Sequence, residues 1–131
     1  MAERSADWMR QAESDLRHAL HAREAQDYDW SAFAGHQAAE KAIKALFQHL
    51  HLDAWGHTLS VLLASLPEGS EADEDLVDRA KDLDKNYIPT RYPNGLVEGT
   101  PYQAFTRAQA ERALRGAETV VAAVERTLAA P

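Results

Sequence analysis

Residues 30–52 read Trp30-Ser-Ala-Phe-Ala-Gly-His-Gln-Ala-Ala-Glu-Lys-Ala-Ile-Lys-Ala-Leu-Phe-Gln-His-Leu-His-Leu52, and the fold follows from how these side chains fall around a helix. At about 100° per residue, Ala39, Ile43, Leu46 and Leu50 share a narrow arc, which predicts a core face with Gln37, Lys41, Lys44 and Gln48 opposite. Ser31, Gly35, Ala38, Ala42 and Ala45 make a flank of small side chains. Such a flank lets a second helix, or a second subunit, approach closely, which offsets the cost of about 1 kcal/mol for glycine inside a helix.

On the N-terminal side, Trp8, Ala12, Leu16, Ala19, Leu20 and Arg23 step by three and four. They predict a helix over residues 5–26, capped by Ser5 and ended by a turn at Asp27-Tyr28-Asp29. On the C-terminal side, Trp55-Gly56 breaks the pattern. Leu59, Leu62, Leu63 and Leu66 then predict a short helix over 57–66, stopped by Pro67-Glu68-Gly69. A fourth helix is expected from Glu71 to Tyr87, with Glu71, Asp73, Glu74 and Asp75 at its positive end and Leu76, Ala80, Leu83 and Tyr87 facing inward. Pro89, Pro93, Pro101 and Asn94-Gly95 keep any helix from crossing residues 88–105, and Ile88 and Tyr92, each before a proline, should be extended. Thr106 with Gln109 forms a capping box for a last helix, whose Ala110, Leu114, Ala117, Val121, Val124 and Leu128 repeat at helical spacing. Nothing reads as a strand. The expectation is an all-α single domain over 1–131: an antiparallel up-and-down bundle of four main helices plus one short one, with a long loop before the last.

Composition narrows the function. The 131 residues contain no cysteine, which excludes thiol catalysis, iron–sulfur clusters and cysteine zinc sites. Fourteen Lys and Arg against 21 Asp and Glu give a net charge of −7, which argues against electrostatic gripping of duplex DNA. No apolar run is long enough to span a membrane, and the polar, acidic N-terminus does not resemble a secretion signal, so a cytoplasmic location is expected.

Of the six histidines, none belongs to a Glu-x-x-His, so no metal site is expected, and His18, His21, His49 and His51 read as surface residues. His36 and Glu40 lie one turn apart, as a buried polar contact or part of a cleft, and Glu40 with Lys44 is a favourable i, i+4 pair. Around the proline-rich loop, Lys85, Tyr87, Arg91, Tyr92 and Tyr102 offer planar donors for phosphate and faces for stacking a base. The competing reading is that these tyrosines only pin the loop to the bundle. No glycine-rich phosphate loop is present, because Gly95 and Gly99 lack the lysine and the helix start it requires.

Three segments together, Ala38-Ala39-Glu40-Lys41-Ala42-Ile43-Lys44-Ala45-Leu46, Gly56-His57-Thr58-Leu59 and Leu83-Asp84-Lys85-Asn86-Tyr87-Ile88-Pro89-Thr90-Arg91-Tyr92-Pro93, resemble the HEPN domain family in order and spacing. The resemblance continues through Tyr102 and Phe105-Thr106 into the last helix. It implies a small helical bundle, commonly dimeric, and two kinds of activity. Some members are ribonucleases, often toxins, with an Arg followed after four to six residues by His. That motif is missing, since no histidine follows His57 to partner Arg91, Arg107, Arg112 or Arg115. Other members resemble the helical domain of aminoglycoside nucleotidyltransferases, pair with a separate minimal nucleotidyltransferase and help to bind nucleotide or substrate. The chain looks more like this group. Carried over by motif position, the resemblance implies Glu40, Lys41, Lys44, His57, Lys85, Arg91 and Tyr92 as candidate residues for nucleotide or partner binding, and the loop chemistry adds Tyr87. The expectation is therefore a homodimer without catalytic residues or a cofactor of its own, partnered by a nucleotidyltransferase in a two-component or toxin–antitoxin-like system, with nucleotide favoured over RNA as ligand. The alternatives are an RNase toxin using His36 or His57 with Arg91 of a partner subunit, and a purely structural dimeric module.

Overall fold

The computed structural model describes residues 3–67 and 72–130. Its elements are α1 (Ser5–Glu24), α2 (Tyr28–His49), α3 (Leu59–Ala64), α4 (Glu74–Asp84), a 3-10 turn (Pro93–Gly95), α5 (Pro101–Ala104) and α6 (Arg107–Ala129), with no strand among the described residues. The all-α bundle read from sequence is thus observed, with α2 at its centre.

Two apolar clusters meet along α2. On one side Ala38, Ala42, Ala45 and Leu46 pack with Met9 and Ala12 of α1 and Val121 and Val124 of α6. On the other, Ala39, Ile43 and Phe47 pack with Leu59, Leu62 and Leu63 of α3, Leu76 and Leu83 of α4 and Val120 of α6. The small-residue flank is therefore covered within the chain. A Cβ on Gly35 would stand 3.3 Å from the Ala113 carbonyl oxygen, so this glycine lets α6 approach α2 at backbone contact.

Both ends of the α1–α2 hairpin depart from the sequence reading by a few residues, for one reason. Helix α1 ends in a Schellman motif, with Gln26 left-handed at φ 66°, Asp27 N donating to Ala22 O and Gln26 N to Arg23 O. Helix α2 ends the same way at His51 (φ 58°), with Leu52 N donating to Phe47 O and His51 N to Gln48 O. Neither stop carries the glycine that usually signals it, so the sequence extends α2 to Leu52 and places α1's turn too late. Other expectations are corrected as well. Arg4, not Ser5, occupies the N-cap of α1. Leu20 and Leu50, read as core, are each 36% exposed, while Met9 and Ala22 are buried in addition to Ala12 and Ala19. Tyr87 lies beyond the end of α4 in a turn and is half-buried. The expected stop at Glu68-Gly69 and start at Glu71 fall outside the described residues.

The stretch 88–105 holds two short helical pieces, consistent with prolines at their first turns, and Tyr92 before Pro93 is extended as expected (φ −129°, ψ 132°). The Thr106–Gln109 capping box opens α6 as read. No helix of the described residues is long and apolar enough to cross a membrane.

Candidate functional site

Trp30, Phe33, His36, Glu40 and Lys44 follow one another by three, three, four and four residues, so they form a single stripe along α2. Because α2 is central, the middle of this stripe is submerged: His36 is 0% exposed and Glu40 4%. A buried carboxylate needs partners. Glu40 has two, accepting from Lys44 Nζ at 3.1 Å and from His57 Nδ1 at 3.0 and 3.1 Å on its two oxygens.

His57 arrives on the connection between α2 and α3, which turns at Gly56 (φ +85°). Three elements hold that connection. From α2, His36 Nε2 meets the His57 carbonyl at 3.0 Å. From α4, the Asp84 carboxylate accepts from Leu59 N at 2.6 Å, Ser60 N at 3.2 Å and Ser60 Oγ at 2.6 Å, satisfying the first donors of α3. From the turn after α4, the Tyr87 ring stacks on the His57 ring at 4.8 Å and 16°.

These contacts assign the tautomers. The carbonyl of His57 only accepts, so His36 carries its hydrogen on Nε2. Burial pushes the His36 pKa below its ordinary 6.5, which favours the neutral ring; Nδ1, 3.1 Å from Gln37 Oε1, then accepts a hydrogen bond once the Gln37 amide is turned to present its NH2. His57 donates Nδ1–H to the Glu40 carboxylate. Its Nε2 has no hydrogen-bond partner among the described residues, and its side chain is 52% exposed.

Arg91 completes the cluster. Its Cζ lies 4.4 Å from the ring centre of Phe33, 4.6 Å from that of Tyr87 and 5.0 Å from that of Tyr92. Its Nε and Nη2 donate to the Tyr87 carbonyl at 3.0 and 2.8 Å, and no carboxylate among the described residues pairs with it. The turn that carries it is anchored by buried Thr90, whose hydroxyl donates to Asn86 O at 2.5 Å. Trp30, edge-on to Phe33, and Tyr92 remain about half-exposed at either side. The result is a fixed guanidinium in an aromatic frame, linked through the shared Tyr87 ring to an imidazole whose orientation is set by a buried carboxylate.

A model of the HEPN domain matches residues 5–127 of this sequence. The chain belongs to the HEPN family. Among solved structures, this HEPN chain is similar to a protein from Thermus thermophilus, with 46% identity over 95% of this chain and 98% of that one and a TM-score of 0.93. It is also similar to an archaeal HEPN homologue, with 35% identity, 96% and 98% coverage and a TM-score of 0.82. A HEPN domain protein from Thermotoga maritima aligns at 36% identity, 95% and 99% coverage and a TM-score of 0.78. No curated protein matches the chain.

Within this HEPN domain, Glu40, Lys44, His57, Tyr87, Arg91 and Tyr92 of the expected site residues come together. Two do not join them. Lys41 points to α1, where its Nζ meets Asp15 at 2.5 Å. Lys85 lines a separate groove of about 300 Å³ with Asp82, Asn86, Gln109 and Arg112, where Arg112 is fixed to Asp82 by bonds of 2.7 and 2.9 Å. Tyr102, 73% exposed on α5, makes no aromatic contact with the cluster. The motif segments do not include Phe33 or Trp30, and Asp84, although within one of them, is not singled out as a site residue. The first two are legible as the i−3 and i−6 positions from His36 on one helix stripe; Asp84 gives no local signal, because it caps a helix 25 residues upstream. Among the described residues no group of three His, Asp or Glu gathers that would hold a metal ion.

Proposed function

We propose that this HEPN protein is a nucleotide-binding subunit that acts as a homodimer beside a separate minimal nucleotidyltransferase and performs no bond-making chemistry itself. One observation carries the reading: the Arg91 guanidinium, held in place by the Tyr87 carbonyl and three aromatic rings, is unpaired by any described carboxylate and lies against the half-exposed Tyr92 ring and against Phe33, on which half-exposed Trp30 packs. A planar cation beside stacking surfaces suits a phosphate and a base. The sequence supports the non-catalytic half, since no Arg is followed by a His after four to six intervening residues. Tagged protein purified from its native cell tests the proposal. The expected result is a stoichiometric nucleotidyltransferase with extractable nucleotide; a protein that comes down alone and empty contradicts it.

The Glu40–His57 pair favours a second reading, metal-free RNA cleavage with His57 as general base and Arg91 steadying the phosphate. A carboxylate that fixes Nδ1–H leaves Nε2 ready to take a proton. Growth arrest on expression, relieved by His57→Ala, would favour this reading; harmless expression with intact cellular RNA opposes it.

A further inference from the structure

The donors that remain on Arg91 limit what its site accepts. A guanidinium offers two bidentate edges. The side edge, Nε–H with one Nη2–H, is spent on the Tyr87 carbonyl. The end edge, Nη1–H with the other Nη2–H, has no partner among the described residues and matches two oxygens of one phosphate.

The neighbouring cations add little. Lys44 is tied to buried Glu40 at 3.1 Å, Lys41 to Asp15 at 2.5 Å, and Lys85 belongs to the groove around Asp82 and Arg112. The neutral His57 ring, with Nδ1–H on Glu40, presents Nε2 as an acceptor, which suits a hydroxyl or amino group rather than a second phosphate. The site therefore has one unspent cationic edge, aromatic faces on Tyr92 and Trp30, and one outward acceptor. Each phosphate beyond the first would bring negative charge that no described side chain meets.

Resting on the nucleotide-binding reading above, we infer that the ligand is a nucleoside monophosphate. Its phosphate sits end-on at Arg91, its base stacks on the exposed aromatic frame and a sugar hydroxyl or base amino group donates to His57 Nε2. The same unit is present once per residue in a single strand, so the experiment separates the two sources.

Calorimetric titration of the intact protein with AMP, ADP, ATP, ATP with Mg²⁺ and a ten-residue oligoadenylate, all at one ionic strength, is the test. ADP and ATP should bind no more than threefold more tightly than AMP. Arg91→Lys, which keeps the charge and loses the fork, should weaken AMP at least tenfold in a protein that still unfolds cooperatively. Lys85→Ala should leave binding unaltered. An oligoadenylate that binds more tightly than AMP with the same dependence on Arg91 supports the monophosphate unit and assigns it to a strand. ATP binding tenfold more tightly than AMP, with or without Mg²⁺, or Arg91→Lys binding like the parent, overturns the inference while leaving nucleotide binding intact. Failure of all five probes to bind overturns the nucleotide-binding reading itself.

Discussion

Glu40 and His57 are 17 residues apart in the chain, yet both carboxylate oxygens of Glu40 lie within 3.1 Å of His57 Nδ1, one partner buried in α2 and the other half-exposed on the α2–α3 connection. This contact joins the interior of the bundle to its candidate binding surface. It fixes which imidazole nitrogen faces outward, and with the Lys44 ammonium it satisfies a carboxylate that would otherwise be costly to bury.

Removing Glu40 alone leaves the Lys44 ammonium, 15% exposed, without its partner. Breaking one side of a buried pair costs about 3–5 kcal/mol, so Glu40→Ala is expected to lose stability on that scale, whereas Glu40→Leu with Lys44→Met should regain most of it. Urea unfolding of the three proteins checks this. Equal losses in the single and double variants would contradict the pairing.

His36 makes stability depend on pH. Burial lowers its pKa in the folded state below the ordinary 6.5, so under acidic conditions the unfolded chain binds a proton that the folded chain refuses. The contribution is complete above about 6.5 and falls as the pH drops below it. The urea midpoint is expected to decrease from pH 7 to pH 5.5, with a shallower decrease in His36→Gln. An identical pH slope in that variant would sink this account.

Asp84 holds three donors at the start of α3, a six-residue helix that could not persist without outside support. Asp84→Ala should cost about 1–2 kcal/mol, the scale of a lost helix cap. Hydrogen exchange should localise the change to residues 57–64, since the rest of the bundle is packed without Asp84. Uniform acceleration across α1 and α6 would place the effect elsewhere.

Much of this is legible from short-range pattern. The stripe of Ile43 and Leu46, the Thr106–Gln109 box and the proline-rich stretch before α6 act through neighbours three or four residues away, which is the range over which a sequence displays its periodicity. The helix ends at Gln26 and His51 are not legible, because residues that seldom adopt a left-handed conformation do so there under tertiary constraint. The polar face assigned to α2 is also incomplete as a solvent face: Gln37, Lys41, Lys44 and Gln48 are half-buried, since α2 is enclosed on more than one side. The site divides the same way. Glu40 with Lys44, and Tyr87 with Arg91, are four residues apart and visible in the sequence, while the links from Glu40 to His57 and from Phe33 to Arg91 cross the bundle.

The central claim is that a nucleotide binds on the Arg91–Tyr87–His57 cluster and not at the other basic positions. Two-dimensional NMR of labelled protein titrated with AMP tests it most directly. Shifts are expected at the Arg91 Nε–H, the His57 imidazole and the Tyr92 ring, with Lys41, Lys85 and Arg112 unmoved. Saturable shifts confined to the Lys85–Arg112 groove, or none at any residue, would contradict it.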